Sequence, residues 1–191
     1  MPIFYRGAAV GTWWHKRDAR KFGFTPNNPG IEATSDRLMN HIARGTVSSP
    51  YVSLTRSYSV AWSYATFASR GGLPTARRPA YVYEIEINNP CPRGLELIDP
   101  VKELGKMLPD PLETNSYQHD GLPSFLLGVV DSSMVHHLHA PILHPPPGGG
   151  TSRPALLSLQ LETLIRAMRD AEILALGTIP TSCIRTRYKV Y

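Results

Sequence analysis

One segment of the sequence alternates in character and constrains the fold more than any other. Over residues 81–87, aromatic or branched apolar side chains take every second position. Successive side chains of a β-strand point to opposite faces, so this spacing predicts a strand with one face in a core and the other in water, as is common in antiparallel sheets. The core face is Tyr81, Tyr83, Ile85 and Ile87, and the wet face is Val82, Glu84 and Glu86.

Other segments predict an α+β domain around this strand. Short or alternating apolar runs predict further strands, which are 3–5, 51–55, 173–176 and 184–190. Apolar residues at helical spacing predict a helix that Thr34 or Ser35 caps and Gly45 ends, a second helix over 57–68, and a less regular third over 156–165. Prolines between residues 91 and 150 predict long loops around a strand at 125–130, with a Pro/Gly-rich loop around 140–154.

The composition is that of one folded domain over residues 1–191, since 42% of the residues are hydrophobic and only 18% are charged. A net charge of +5 suits an anionic partner, although a solvated surface carries a similar charge. Two cysteines without CxxC spacing exclude a disulfide framework. With no signal-peptide pattern and no run of eighteen apolar residues, we expect no membrane partner and a cytoplasmic protein or delivered effector.

Three polar features stand in order along the chain. Arg6 follows the first strand, Ser53 and Thr55 lie in the strand over 51–55, and Asp170 and Glu172 precede the strand over 173–176. With their flanks, they resemble the mono-ADP-ribosyltransferase toxins of the cholera toxin and heat-labile enterotoxin type, whose pattern is Arg, then Ser-Thr-Ser, then Glu-x-Glu. The flanks are His41-Ile42-Ala43-Arg44-Gly45-Thr46, the run from Ala171 to Pro180, and Arg187-Tyr188-Lys189-Val190. The resemblance covers both ends of the chain and leaves residues 91–165 unmatched.

The resemblance implies the ADP-ribosyltransferase fold, in which two split antiparallel sheets and a few flanking helices enclose an NAD cleft. It implies transfer of ADP-ribose from NAD, a substrate, to a macromolecular acceptor with release of nicotinamide and without a metal. A protein arginine is the leading acceptor, and a nucleic acid is the alternative. An antitoxin or immunity protein is a further partner that the resemblance to toxins suggests.

Each motif residue receives a role on this basis. Glu172 would accept a hydrogen bond from the ribose 2′-hydroxyl and stabilise the positive charge that develops as the N-glycosidic bond breaks. Arg6, with Gly7 beside it, would hold the phosphates through a planar guanidinium, so lysine should not replace it. Ser53 would hydrogen-bond the catalytic carboxylate or the nicotinamide ribose, and Thr55 would support the strand.

The resemblance also implies roles for His41 and Asp170. By resemblance, His41 would orient NAD or the acceptor. Asp170 stands where arginine-modifying members have the first glutamate, one methylene longer, and would act on the acceptor. The shorter side chain keeps open an NAD glycohydrolase that uses water as the acceptor. If the roles of Arg6, Ser53 and Glu172 are wrong, the alternative is an inactive basic module that binds nucleic acid or protein. The loop predicted before Asp170, about Arg166 to Arg169, is expected to recognise the acceptor through its two arginines.

Several other features that could suggest catalysis, metal binding or base stacking have structural interpretations. Glu84 and Glu86 form a literal Glu-x-Glu, but their flanks are those of a wet strand face. The histidines at 136, 137, 139 and 144 follow no familiar ligand spacing and are read as loop residues. The aromatic side chains of Tyr58, Trp62 and Tyr64 are expected to pack into the core.

Overall fold

The computed structural model describes residues 2–45, 48–67, 71–107 and 155–191. Its contacts group into two compact units. The sheet unit comprises Met1–Ala33, Thr46–Asp99 and Asp170–Tyr191, and the helical unit comprises Thr34–Gly45 and Pro100–Arg169. The strand predicted at 125–130, the loop around 140–154 and the four histidines after residue 135 lie outside the described residues. A single domain over 1–191 stays a prediction.

The described part of the chain contains six strands, six α-helices and a short 3-10 helix at Thr181–Cys183. The strands are β1 (Ile3–Ala8), β2 (Tyr51–Thr55), β3 (Ala80–Glu86), β4 (Glu96–Ile98), β5 (Glu172–Leu176) and β6 (Ile184–Val190). The helices are α1 (Trp13–Lys16), α2 (Ala19–Phe22), α3 (Ser35–Arg44), α4 (Tyr58–Phe67), α5 (Pro100–Gly105) and α6 (Ala155–Arg169). The predicted α+β class is confirmed, and so are the strands and the three helices that fall on described residues.

The strands form one antiparallel sheet in the order β4-β5-β2-β1-β3-β6. The resemblance implied two split sheets, and the structure differs in this respect. However, β1 and β2 are joined by a single register pair, Tyr5 with Thr55. By contrast, β1 pairs with β3 over its whole length, from Ile3 to Ala8. The sheet is therefore two three-stranded halves, β4-β5-β2 and β1-β3-β6, that meet at one residue pair.

Both faces of the sheet are covered by apolar packing. On one face, Phe4, Leu54 and Tyr83 belong to a buried cluster that includes Phe24 and Ile179 from loops. On the other face, Ala61 and Ala65 of α4 pack against a second cluster, which also contains Val10, Ala80, Val82 and Val190.

The wet face predicted for β3 is therefore wrong at Val82, which is fully buried because α4 lies over it. The prediction holds better for the two glutamates of this face, which are half-buried. Glu84 accepts a hydrogen bond from the Tyr188 hydroxyl at 2.8 Å, and Glu86 pairs with Arg185 at 3.0 Å. These structural contacts agree with the non-catalytic interpretation of this Glu-x-Glu.

Gly7 permits the close approach of α4 to β1. A Cβ atom at this position would lie 2.3 Å from the carbonyl oxygen of Ala61 and 2.8 Å from the amide nitrogen of Ala65. Both are backbone atoms of the helix, so no side-chain rotation could relieve the contact. The glycine that follows Arg6 is therefore required by packing, in addition to its place beside the candidate site.

We expect Gly7→Ala to destabilise the protein by about 3 kcal/mol, because α4 would have to move away from the sheet. Thermal and urea unfolding measure the loss. The matched control is Gly30→Ala, where the nearest atom to a new Cβ, Asn28 Oδ1, is 4.0 Å away. The control should unfold as the wild type does or slightly later. Equal stability of the two variants would contradict the packing argument.

The helical unit confirms the capping signals of the sequence. Thr34 Oγ1 accepts a hydrogen bond from the amide of Arg37 at 3.3 Å, and Gly45 ends α3 with φ of +95°. α6 packs against α3 and α5.

Across residues 2–45, 48–67, 71–107 and 155–191, no helix has the length and apolar character that crossing a membrane requires.

Candidate functional site

A cleft of about 200 Å³ lies beside the junction of the two half-sheets. Arg6 and Gly7 of β1 line it together with Tyr51 and Val52 of β2. Because the two strands are antiparallel, residues that follow Tyr5 and residues that precede Thr55 lie at the same end of the junction. Within the described strands, no further register pair joins β1 and β2 at this end. The rest of the cleft wall comes from residues 12–14 and 25–27.

Arg6 reaches across this junction. It lies within β1, paired with Tyr83, and not after the strand as predicted, because pairing with β3 extends β1 to Ala8. Its Nη1 donates a hydrogen bond to the carbonyl oxygen of Ser53 on β2. The guanidinium also lies 5.6 Å from the ring centroid of Phe24. One arginine side chain thus links the two half-sheets.

The charge of Arg6 is only partly compensated by its surroundings. Its Nε is buried and has no hydrogen-bond partner among the residues that the structure describes. Burial lowers the pKa of Arg6 to about 10, and the negative charge of Glu172 raises it in part. The guanidinium is therefore charged at neutral pH. A buried cation with an unsatisfied donor favours an anionic ligand, which would supply both the charge and the acceptor.

The sheet brings the other motif residues to the same junction. Glu172 is paired with Thr55, which is itself paired with Tyr5, so the three residues stand side by side on β5, β2 and β1. Ser53 lies two residues from Thr55, on the same face of β2. Arg6 points to the opposite face from its neighbour Tyr5, yet it contacts the Ser53 backbone and feels the charge of Glu172.

Thr55 holds the chain segments around the site. Its Oγ1 donates to the carbonyl oxygen of Asp170 at 2.5 Å and accepts from the amide of Ser57 at 3.0 Å. The residue is only 6% exposed. These contacts agree with the supporting role expected for Thr55, and direct contact with NAD stays a prediction.

Tyr64 is a polar contact of the site that the sequence interpretation missed. Its hydroxyl donates to Asp170 Oδ2 at 2.6 Å, and the side chain is 46% exposed. Tyr58 is 40% exposed, so the prediction that these tyrosines pack into the core is wrong. Tyr64 lies at the edge of the buried stripe of Ala61 and Ala65, which was a signal for its exposure, whereas Tyr58 is at helical spacing with both alanines and gave no such signal.

The remaining predicted residues belong to the helical unit. His41 is 3% exposed on α3, and its role towards NAD stays a prediction. The segment from Arg166 to Arg169 is not the predicted loop but the last turn of α6, which continues to Arg169. Arg166 pairs with Glu162 at 2.6 Å, whereas Arg169 is exposed. Within the described ranges, no three His, Cys, Asp or Glu residues are grouped as a metal site would need.

Comparison of the sequence with protein-family models and with curated proteins finds no match. The chemistry of the site rests on a small set of its own residues. These are a buried guanidinium beside a cleft, a carboxylate within its electrostatic reach, and a second carboxylate held by a tyrosine.

Proposed function

We propose that this protein is a mono-ADP-ribosyltransferase with the ADP-ribosyltransferase fold. It would transfer ADP-ribose from NAD to a nucleophile on a macromolecule and release nicotinamide. The observation that carries the proposal is the contact of Arg6 with the Ser53 carbonyl, at a junction where Glu172 is close enough to shift the pKa of Arg6. The three residues of the Arg, Ser and Glu pattern, far apart in the sequence, thus meet on three strands.

NAD binding follows from the charge at the junction. The diphosphate of NAD is an anion with several acceptor oxygens, and Arg6 offers a buried positive charge with an Nε donor that no described residue satisfies. A guanidinium binds phosphate oxygens through two parallel hydrogen bonds, which fix orientation as well as position. Arg6 would in this way orient the bond between ribose and nicotinamide towards Glu172.

Glu172 supplies electrostatic stabilisation at the bond that breaks. As the bond between the ribose C1′ and the nicotinamide nitrogen lengthens, its electron pair leaves with nicotinamide and positive charge develops on the ribose. A carboxylate that accepts a hydrogen bond from the 2′-hydroxyl binds this charged state more tightly than the ground state, which lowers the barrier. The nicotinamide ring is positively charged before cleavage and neutral afterwards, so its departure needs neither a general acid nor a metal.

Asp170 would act on the acceptor. A nucleophile attacks C1′, and its proton passes to the Asp170 carboxylate, two residues from Glu172. A protein arginine is the leading acceptor, and a nucleic acid is the alternative. Water as the nucleophile would make the same site an NAD glycohydrolase.

The test follows nicotinamide release and transfer of label from NAD labelled in its adenosine part. The purified protein is incubated with NAD alone, with arginine methyl ester and with a single-stranded oligonucleotide. We expect release in all three reactions and label transfer to the guanidino compound. Transfer to the oligonucleotide alone would change the acceptor class, and release without transfer would indicate a glycohydrolase. No release in any reaction would show that the enzyme proposal is wrong.

A further inference from the structure

The turn at Asp170 and Ala171 is strained and leads directly into Glu172, the first residue of β5. Ala171, between Asp170 and Glu172, has φ of +45°, in the left-handed region that residues other than glycine rarely adopt. Such a backbone persists only where the surrounding contacts hold it in place. The contacts to this turn therefore decide where both carboxylates lie.

Hydrogen bonds from Thr55, Arg56 and Tyr64 contribute to holding the turn. Two reach its backbone, from Thr55 Oγ1 to the Asp170 carbonyl at 2.5 Å and from the Arg56 amide to the Ala171 carbonyl at 3.1 Å. The third reaches a side chain, from the Tyr64 hydroxyl to Asp170 Oδ2 at 2.6 Å, within the normal range for a hydrogen bond between two oxygen atoms. The first two fix the turn, and the third fixes the orientation of the carboxylate.

Tyr64 connects this turn to the half-sheet that carries Arg6. A Cβ placed on Gly7 would lie 3.2 Å from the Cβ of Tyr64, so the side chain of Tyr64 starts directly over β1. Its hydroxyl ends at Asp170, just before β5. With 46% of the residue exposed, burial of the ring accounts for only part of what holds it there. The hydrogen bond to Asp170 is a specific contact that orients the side chain.

We propose that Tyr64 is a positioning residue for Asp170, a role that rests on the proposed function. In the transfer step, the lone pair of the acceptor nucleophile forms the bond to C1′ while nicotinamide leaves with the electron pair of the broken bond. The proton of the nucleophile passes to the Asp170 carboxylate. A carboxylate already held by Tyr64 loses less freedom when a large acceptor arrives. Water is small and reorients easily, so the hydrogen bond favours transfer over hydrolysis.

Tyr64→Phe tests this role because it removes only the hydroxyl. The readout is a transfer ratio, which is the amount of ADP-ribose transferred to arginine methyl ester divided by the amount of nicotinamide released. We expect this ratio to fall about tenfold, the effect of losing one hydrogen bond to a charged group. The matched control is Tyr58→Phe, on the same helix and 40% exposed. Tyr58 packs ring to ring against Tyr5 and Tyr188, which phenylalanine preserves, so its ratio should equal that of the wild type.

A double-mutant cycle separates positioning from general support of the fold. In an Asp170→Asn background, Tyr64→Phe should change the ratio by less than about twofold, because the two residues act as a unit. An unchanged ratio in Tyr64→Phe, or equal losses in both backgrounds, would overturn the role of Tyr64. Wild-type release without transfer would overturn this role together with the guanidino acceptor. Absence of any nicotinamide release from the wild type contradicts the proposed function itself.

Discussion

Glu172→Gln is expected to slow nicotinamide release by about a thousandfold, which corresponds to about 4 kcal/mol of lost transition-state stabilisation. Glutamine keeps the size and shape of the side chain and can still accept a hydrogen bond, but it carries no charge. The carboxylate acts on a charge that exists only as the bond breaks, so the loss falls on kcat and leaves the affinity for NAD nearly unchanged. Steady-state release assays and equilibrium dialysis measure the two quantities separately.

The control for this substitution is Glu96→Gln. Glu96 is exposed on β4 and is paired with Leu176, at the opposite end of β5 from Glu172. Its loss removes the same charge from the same half-sheet, away from the junction, and should leave release at the wild-type rate. A Glu172→Gln protein that is folded and releases nicotinamide at a rate within about threefold of wild type would rule out the assigned role, because the expected electrostatic effect is far larger.

Arg6→Lys is expected to weaken NAD binding by about 100-fold. Lysine keeps the positive charge but has a single ammonium group, which cannot donate to the Ser53 carbonyl and also bind two phosphate oxygens as a planar guanidinium does. Hydrogen bonds to charged groups contribute about 1.5–3 kcal/mol each, so the loss of one such bond to the phosphates accounts for this factor. Isothermal titration calorimetry with NAD gives the dissociation constant.

Two further variants make the Arg6 result interpretable. Arg20→Lys changes an exposed arginine that pairs with Asp18 at 2.7 Å, and it should bind NAD normally. Arg6→Met removes the buried charge altogether, so it should bind NAD no better than Arg6→Lys does. Because Arg6→Met also removes the hydrogen bond to the Ser53 carbonyl, thermal unfolding is measured alongside to show that the variant is folded. Normal NAD affinity in Arg6→Lys would be incompatible with a phosphate contact at this residue.

Local signals in the sequence predicted most elements of the fold. The alternation over 81–87 and the caps of α3 at Thr34 and Gly45 depend on neighbours along the chain, and both are present in the structure. Features set by distant contacts were not predictable in this way. Val82 is buried on the predicted wet face because α4 covers it, and β1 continues beyond Arg6 because β3 pairs with it.

The same distinction between local signals and distant contacts applies to the candidate site. Arg6, Ser53 and Glu172 were identified from the order and flanks of their motifs, and the register of β1, β2 and β5 brings them to one junction. Tyr64 was missed because an aromatic residue on a helix usually packs inward, and only the path of α4 over Gly7 carries its hydroxyl to Asp170. The unsatisfied Nε of Arg6 depends on the burial of one atom, which no sequence pattern encodes.

The half-sheets are joined by the single pair of Tyr5 and Thr55. Ligand affinity is therefore thermodynamically coupled to the association of the two half-sheets. Arg6 belongs to one half and Glu172 to the other, so a ligand bound to both would connect them. By mass action, a ligand at 100 times its dissociation constant adds about 2.7 kcal/mol to the stability of the state that binds it. Separation of the halves would conversely take apart the binding site, so a substitution that loosens this pair would weaken binding without contacting the ligand.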